Sequence, residues 1–174
     1  MKYVALLRGI NVGGRVVKMA ELTVLFEALG LTRVQTVLQS GNVVFEGGSA
    51  ATHKTSIEAG LSKRFHYPAK VQVYSLVALK KIVDACPFQS SSEYHSYIIF
   101  FENGLEKQLM IDASNLDKTS EQVRLGEGVL YWRVPKGLTL QSPLAKYLVK
   151  AQYKNYHTNR NINSLQKIIN KAVT

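Results

Sequence analysis

Short apolar runs along this chain alternate with segments whose apolar residues recur at helical spacing. Residues 3–7 are continuously apolar, a pattern typical of a strand that is covered on both faces. Residues 19–29 carry apolar side chains every three or four positions and are followed by Gly30, which predicts an amphipathic helix. Residues 34–39 then alternate in polarity, whereas residues 43–45 are again wholly apolar. This part of the chain therefore predicts a strand, a helix and two further strands.

A second helix and a fourth strand complete the pattern. Ile57, Leu61 and Phe65 form one stripe of a helix that begins at Thr52 or Thr55 and ends at Phe65, and the alternation of residues 70–74 is typical of an edge strand. The order strand, helix, strand, strand, helix, strand predicts a ferredoxin-like, split βαβ sheet in which the first and third strands are central. Because these central strands are apolar on both faces, they need a second layer, which we expect the C-terminal half to supply.

The rest of the chain predicts a second, smaller α+β lobe. The expected elements are a helix over residues 76–86, a strand over 97–101, a weaker helix over 105–111, a hairpin over 121–134, a helix beginning at Ser142-Pro143, and a last helix over 162–172. The predicted fold class is α+β, with a ferredoxin-like antiparallel lobe over residues 1–75 packed on a lobe over residues 76–174. No change in composition marks a flexible linker, so we expect one compact unit.

Polar turns that contain glycine follow two of the predicted strands. Together with three other segments, they are similar to the motifs of a known family. The segments concerned are LLRGINVGG at residues 6–14, MAEL at 19–22, LQSGNVVF at 38–45, YW at 131–132 and TNRNINS at 158–164. With them the sequence resembles the bacterial family called domain of unknown function 1697, over essentially the whole chain. Ile162 and Lys18 stand where that family usually has tryptophan and proline. The family has no established activity, so the function has to be argued from the residues.

The predicted topology brings the end of the first strand beside the turn between the second and third strands. The candidate ligand-binding residues at this edge are Arg8, Asn11, Gly13, Gly14, Gln39, Ser40 and Asn42, with Arg160 reaching either this edge or solvent. A guanidinium forks onto carboxylates and phosphates, and a pair of glycines lets backbone N–H groups approach an anion. The alternative is that short polar side chains at strand ends fasten the turns. The glycine spacing fits neither a P-loop nor a dinucleotide-binding motif.

The distribution of charge gives a second candidate site. The net charge is +10, and residues 141–174 contain six cations and no acid. The candidate nucleic-acid-binding residues are Lys146, Lys150, Lys154, Tyr153, Arg160, Lys167 and Lys171. Three of the lysines recur at four-residue spacing and predict one basic helix face, and the interleaved tyrosines suit base stacking. Arg160 is expected in a turn between two helices. The alternative is a solvated helix face with half-buried tyrosines.

Catalytic constellations are absent from the sequence. The histidines lack metal-ligand spacing, the acids are scattered, and the single cysteine, Cys86, falls on the apolar stripe of a predicted helix. Asp112 and Asp117, near Ser114 and Thr119, are interpreted as helix-end and turn residues. We therefore predict no catalytic residue, metal or cofactor, and leave open whether the protein is an enzyme. The single cysteine and the short N-terminal apolar run favour a cytoplasmic protein without a membrane partner.

Three functional hypotheses follow from these observations. The leading one is a non-catalytic binding module for an anionic partner, nucleic acid or a nucleotide, that uses the basic C-terminal residues. The second is an enzyme or sensor for a small anionic metabolite, such as a phosphorylated molecule, with its site at Arg8, Asn11, Ser40 and Asn42. The third is a structural or protein-interaction role, for example a dimer through the edge strand at residues 34–39. The sequence leaves the oligomeric state open.

Overall fold

The structure is a computed structural model that describes residues 1–11, 16–89, 91–114 and 120–173. Its elements in chain order are β1 (Lys2–Arg8), α1 (Met19–Ala28), β2 (Thr32–Val37), β3 (Asn42–Glu46), α2 (Ala50–Phe65), β4 (Lys70–Ser75), α3 (Leu76–Asp84), β5 (Tyr94–Phe101), α4 (Leu105–Asp112), β6 (Gln122–Leu125), β7 (Val129–Pro135), α5 (Pro143–Leu148), α6 (Ala151–Lys154), β8 (His157–Asn161) and α7 (Ile162–Val173). Four residues singled out above, Gly13, Gly14, Asp117 and Thr119, lie outside the described residues.

The chain groups into two units, one of Met1–Lys81 with Gln166–Thr174 and the other of Ile82–Leu165. The protein is mixed α+β, as expected, with two four-stranded antiparallel sheets. The first unit includes the end of α7, which the sequence assigns to the second lobe. The domain boundary between residues 75 and 76 stays a prediction.

The sheet of the first unit has the order β2-β3-β1-β4, and each neighbouring pair is antiparallel. β1 and β3 are therefore the central strands and β2 and β4 the edges, as the strand patterns predict. β1 pairs with β3 over residues 2–6 and with β4 over residues 3–8. Because this pairing occupies the backbone of β1 on both sides, the strand can be buried without leaving its N–H and C=O groups unpaired.

The side chains of β1 are buried on both faces of the sheet. Tyr3, Ala5 and Leu7 belong to the core that this sheet forms with α1 and α2. Val4 and Leu6 alternate with them and therefore point to the opposite face, where both have 0% exposure. The sheet of the first unit thus has two covered faces, as its continuously apolar central strands predict.

The end of α7 contributes to the layer on this opposite face. Lys2 shares the face with Val4 and Leu6 because side chains alternate along a strand. Its Nζ donates a hydrogen bond of 2.6 Å to the carbonyl oxygen of Ala172. The C-terminal residues that cover the face in this way belong to the first unit itself.

The sheet of the second unit has the order β6-β7-β5-β8, also antiparallel throughout. β6 and β7 form the predicted hairpin. The core lies on one face, where Ile99, Leu130 and Trp132 pack with Leu144 of α5 and Tyr153 of α6. This packing ties both short helices to the sheet.

β8 corrects the expectation of a turn between helices around Arg160. His157–Asn161 pairs with β5, and Arg160 lies opposite Ile98. The segment HTNRN contains no apolar residue, so it lacks the alternation by which a strand is identified. Its conformation comes from backbone pairing with β5, which is a tertiary effect and not a local propensity.

The helix expected from Ser142 onward is in fact two short helices. α5 ends at Leu148, α6 begins at Ala151, and Lys150 between them is extended, with φ −63° and ψ 147°. The prediction of one helix face with lysines at four-residue spacing is therefore wrong. The lysines lie instead on the two helices and in the two-residue connection between them.

A buried histidine lies in the core of the first unit. His53 is 8% exposed, and its ring meets the rings of Tyr3 and Phe45 edge-on at centroid distances of 5.4 and 5.3 Å. Its Nε2 atom has no hydrogen-bond partner among the described residues. Gly47 leaves room for this atom, since a Cβ at that position would lie only 2.7 Å from it. Burial lowers the pKa of His53, because the charged imidazolium loses hydration there.

The lowered pKa of His53 predicts a loss of stability in mild acid. The unfolded chain protonates this residue below about pH 6.5, whereas the folded chain keeps it neutral to a lower pH. In that window the unfolded state binds more protons, so the free energy of unfolding falls with pH, by at most about 1.4 kcal/mol per pH unit for one group. We expect His53→Phe to reduce the loss measured by urea unfolding between about pH 7 and about pH 5.5.

The variant His66→Asn is the matched control for this measurement. His66 is exposed and ends α2 in the left-handed region at φ 53°, a conformation that asparagine also adopts. This variant should keep the pH response of the parent protein. A response in His53→Phe equal to that of the parent would contradict the role assigned to the buried ring.

Candidate functional site

The structure brings together the polar residues at the end of β1 and in the turn between β2 and β3. Asn11, at φ 53°, donates from Nδ2 to the carbonyl of Gln39 at 2.7 Å. Its Oδ1 accepts a hydrogen bond from the backbone N–H of Val17 at 2.8 Å. The amide of Asn11 therefore connects the backbone at Val17 with the backbone at Gln39.

The second asparagine of this edge has a similar role. Asn42 is fully buried, and its Nδ2 donates to the carbonyl of Val37 at 3.0 Å and to the Oγ of Ser40 at 2.9 Å. Gly41 has φ 76°, and a Cβ there would lie 2.6 Å from the Cδ1 of Ile10. The turn therefore requires glycine at that position, and Asn42 fastens it.

Arg8 and Gln39 complete the described part of this edge. Arg8 is half-buried, and its carbonyl accepts a hydrogen bond from the hydroxyl of Tyr67 at 3.4 Å. Gln39 and Ser40 are exposed. The two asparagines thus stabilise the turns through hydrogen bonds to the backbone. Ligand binding at this edge stays a prediction.

The second candidate consists of Lys146, Lys150 and Lys154, which we call the α5–α6 lysine surface. All three side chains are exposed. Among the described residues, no carboxylate lies within 4.0 Å of any of their ammonium groups. The Nζ of Lys150 lies 3.5 Å from the ring centroid of Tyr147, a cation–π contact. Tyr156, two residues after α6, is 41% exposed. The surface therefore combines an accessible aromatic ring with exposed cations that lack a close carboxylate partner in the described part of the chain.

Glu121 fixes the start of α5, the first helix of this surface. The residue is 3% exposed, and its Oε2 accepts a hydrogen bond of 2.8 Å from the indole Nε1 of Trp132. Its Oε1 accepts from the backbone N–H of Leu144 at 3.0 Å, in the first turn of α5. Ser142 caps the same end by accepting from the N–H of Ala145 at 3.1 Å. A carboxylate suits this place because the N-terminal end of a helix carries partial positive charge.

Asp112 has the corresponding role for α6. It is the last residue of α4 and accepts hydrogen bonds from the hydroxyl of Tyr153, from Gln108 Nε2 at 2.8 Å and from Gln152 Nε2 at 3.2 Å. The hydrogen bond from Tyr153 is the main cause that lowers the pKa of Asp112, and the nearby charge of Lys150 adds to it. Asp112 is thus the helix-end residue that the sequence predicts, and it also anchors the neighbouring helix.

Tyr153 is not available for base stacking, which corrects its inclusion among the nucleic-acid-binding residues. The residue is fully buried, and its hydroxyl donates to Asp112. Burial and this hydrogen bond raise the pKa of Tyr153. The sequence pattern of alternating lysine and tyrosine did not distinguish this core tyrosine from the exposed Tyr156.

Arg160 is also buried, and it lies in a strand and not in the turn between helices that the sequence predicts. It is 9% exposed, and its Nη1 donates to the Oγ1 of Thr158 at 2.8 Å and to the carbonyl of Asn159 at 2.9 Å. Burial lowers the pKa of Arg160 to about 10, so the side chain stays charged at neutral pH. The two remaining candidates, Lys167 and Lys171, are exposed on α7.

Other chemistry finds little support in the described part of the chain. Within it, no group of three or more histidine, cysteine, aspartate or glutamate residues is placed to hold a metal ion. Burial raises the pKa of the half-buried Cys86 thiol, which disfavours the reactive thiolate. None of the helices in the described ranges combines the length and hydropathy that crossing a membrane requires.

The comparisons with known proteins agree with the motifs in the sequence. Residues 1–131 match the model of the family described as "Protein of unknown function (DUF1697)", and the chain belongs to this family. The predicted family is therefore confirmed over residues 1–131, whereas the motif at residues 158–164 lies outside the match. The chain is also similar to the conserved bacterial protein SP0830 from Streptococcus pneumoniae, at 25% identity and a TM-score of 0.81, over 98% of each chain. No curated protein matches the sequence.

The bonding of Glu121 predicts that its loss destabilises the second unit. In Glu121→Ala the buried N–H groups of Trp132 and Leu144 lose their acceptors, at a cost of roughly 1 to 3 kcal/mol each. Urea unfolding should show this loss. Glu127→Ala is the control, because Glu127 is exposed in the turn between β6 and β7, and it should change stability by less than about 0.5 kcal/mol. Equal stabilities of the two variants would refute the anchoring role of Glu121.

Proposed function

We propose that the protein is a non-catalytic module that binds nucleic acid through the phosphates, on the α5–α6 lysine surface. One observation carries this proposal: the three exposed ammonium groups have no carboxylate partner among the described residues. Ammonium groups bind phosphates as point charges, and each contact releases condensed counterions. The module is therefore expected to bind with little sequence preference and with strong dependence on salt.

Tyr156 supports a preference for single strands. It is 41% exposed and follows α6, whose last residue is Lys154. A base stacks on a tyrosine ring only when it is unpaired, and such stacking contributes about 1 to 3 kcal/mol per base. The cation–π contact of Lys150 with Tyr147 holds a second ring against the same surface.

The second hypothesis, an enzyme or sensor with its site at Arg8, Asn11, Ser40 and Asn42, has weaker support. The amides of Asn11 and Asn42 already bond to backbone groups, so a ligand would have to replace bonds that hold the turn. The third hypothesis, an interaction through β2, is consistent with its edge position. Neither of them has an observation comparable to the exposed lysines, which lack a close carboxylate among the described residues.

We also propose a fold class, a division into lobes and a cellular location for the protein. The ferredoxin-like, split βαβ class for the first lobe is supported by the strand order β2-β3-β1-β4. For the division into lobes over residues 1–75 and 76–174, the grouping of the chain agrees over residues 1–75 and 82–165, whereas residues 76–81 and 166–174 group with the first unit. A cytoplasmic location is supported by the single cysteine, which allows no internal disulfide.

Fluorescence anisotropy of labelled oligonucleotides over a range of salt concentrations tests this function. We expect single strands to bind, and the triple variant in which Lys146, Lys150 and Lys154 become glutamine to bind more weakly. Three lost phosphate contacts should make the slope of log K against log salt shallower by about 2.

The matched control replaces three other exposed lysines, Lys63, Lys81 and Lys107, by glutamine. They lie on α2, α3 and α4, so the net charge falls by the same amount while the lysine surface stays intact. This control should retain the affinity and the slope. Equal losses in the two triple variants would mean that only net charge matters, and absence of binding at low salt would exclude the function.

A further inference from the structure

A basic cavity of about 100 Å³ lies in the first unit, beside the edge strand β2. Its lining residues are Lys2, Arg33, Gln35, Val44, Phe45, Glu46, Lys171 and Ala172. Three of them are cations and one is an acid, so the formal charge of the lining is three minus one, or +2. A concave lining with a net positive charge attracts anionic ligands.

Lys2 supplies hydrogen-bond donors to this cavity. It also offsets the partial negative charge at the C-terminal end of α7, which would repel an anion. At this end of α7, the carbonyl of Ala172 accepts a hydrogen bond from Lys2 Nζ at 2.6 Å. An ammonium has three N–H donors, so two are left for a ligand. Lys171, in the last turn of α7, is exposed and adds a second ammonium.

Arg33 is brought to the cavity by an irregularity in β2. The register between β2 and β3 shifts between Thr32 and Gln35, and Arg33 has φ 50°. A left-handed conformation is unfavourable for a residue other than glycine, and a bulge turns a side chain out of the regular alternation. The edge strand therefore departs from regular geometry at the arginine that lines the cavity.

The ion pair of Arg33 leaves its guanidinium available. Its Nη1 lies 3.5 Å from Glu46 Oε1, and its side chain is 74% exposed. A direct charge-assisted hydrogen bond is shorter, at about 2.7 to 2.9 Å. The planar fork of the guanidinium is suited to two oxygens of a phosphate or carboxylate.

The size and charge of the cavity define the class of ligand. Sites for whole drug-sized molecules have volumes of roughly 300 to 1,000 Å³, so this cavity admits a single anionic group while the rest of the molecule stays outside. A lining charge of +2 matches a phosphate monoester, which carries close to two negative charges at neutral pH, better than a carboxylate with one. We infer that the cavity binds the terminal phosphate of a small phosphorylated compound, independently of the α5–α6 lysine surface.

The test is calorimetric titration of the full chain with inorganic phosphate at constant ionic strength, with acetate as the monoanionic comparison. We expect saturable binding of phosphate, weaker binding of acetate, and about tenfold weaker phosphate binding in Arg33→Asn. Asparagine is chosen because it tolerates the left-handed backbone. Arg64→Gln is the matched control, since Arg64 also forms an exposed ion pair, at 2.6 Å with Glu21, and does not line the cavity.

A second pair of variants on α7 keeps the test decisive if Arg33→Asn does not fold. Lys171→Gln should weaken phosphate binding, whereas Lys167→Gln, one helical turn earlier and also exposed, should not. Absence of saturable phosphate binding, or equal weakening in each variant and its control, would overturn the inference. Oligonucleotide binding by Arg33→Asn should be unchanged, so this result is independent of the nucleic-acid function.

Discussion

The burial of β1 on both faces is the constraint on which the first unit depends. Five consecutive side chains, residues 3–7, are at most 5% exposed. Such a strand needs neighbours on both sides for its backbone and a covering layer on each face for its side chains. β3 and β4 meet the first need, and α1, α2 and the end of α7 contribute to the second. The cavity lined by Lys2, Val44 and Ala172 lies where the end of α7 meets this sheet.

Apolar periodicity predicted much of the fold because these elements bury their stripes against a core. β1, α1, and the central and edge strands of the first sheet follow from it. β8 was missed because its polar sequence contains no alternation, and its pairing with β5 is decided by the rest of the fold. The role of Glu121 was also hidden. The one available signal is the nearby Trp132, since a buried indole N–H requires an acceptor.

The candidate site was harder to predict, because a sequence identifies polar side chains but not the bonds they already make. Asn11 and Asn42 are brought together as the topology predicts, yet their amides bond to backbone. Tyr153 and Arg160 carry suitable chemistry but are buried. Burial and existing hydrogen bonds therefore argue against these four residues as ligand contacts, and the exposed lysines remain as candidates.

The positions of the acids explain why none of those lysines has a carboxylate within 4.0 Å among the described residues, although the charge of Lys150 does act on Asp112. The chain has 22 basic and 12 acidic residues, and several acids already have structural roles. Glu121 and Asp112 anchor helices, Glu106 is buried, and Glu21 and Glu46 pair with arginines. Because charges act over only about 8 to 10 Å at physiological salt, near neighbours and not the net charge decide whether an anion is attracted. Several exposed ammonium groups then suit the repeated phosphates of a nucleic acid, whereas a small cavity with a guanidinium suits one terminal phosphate.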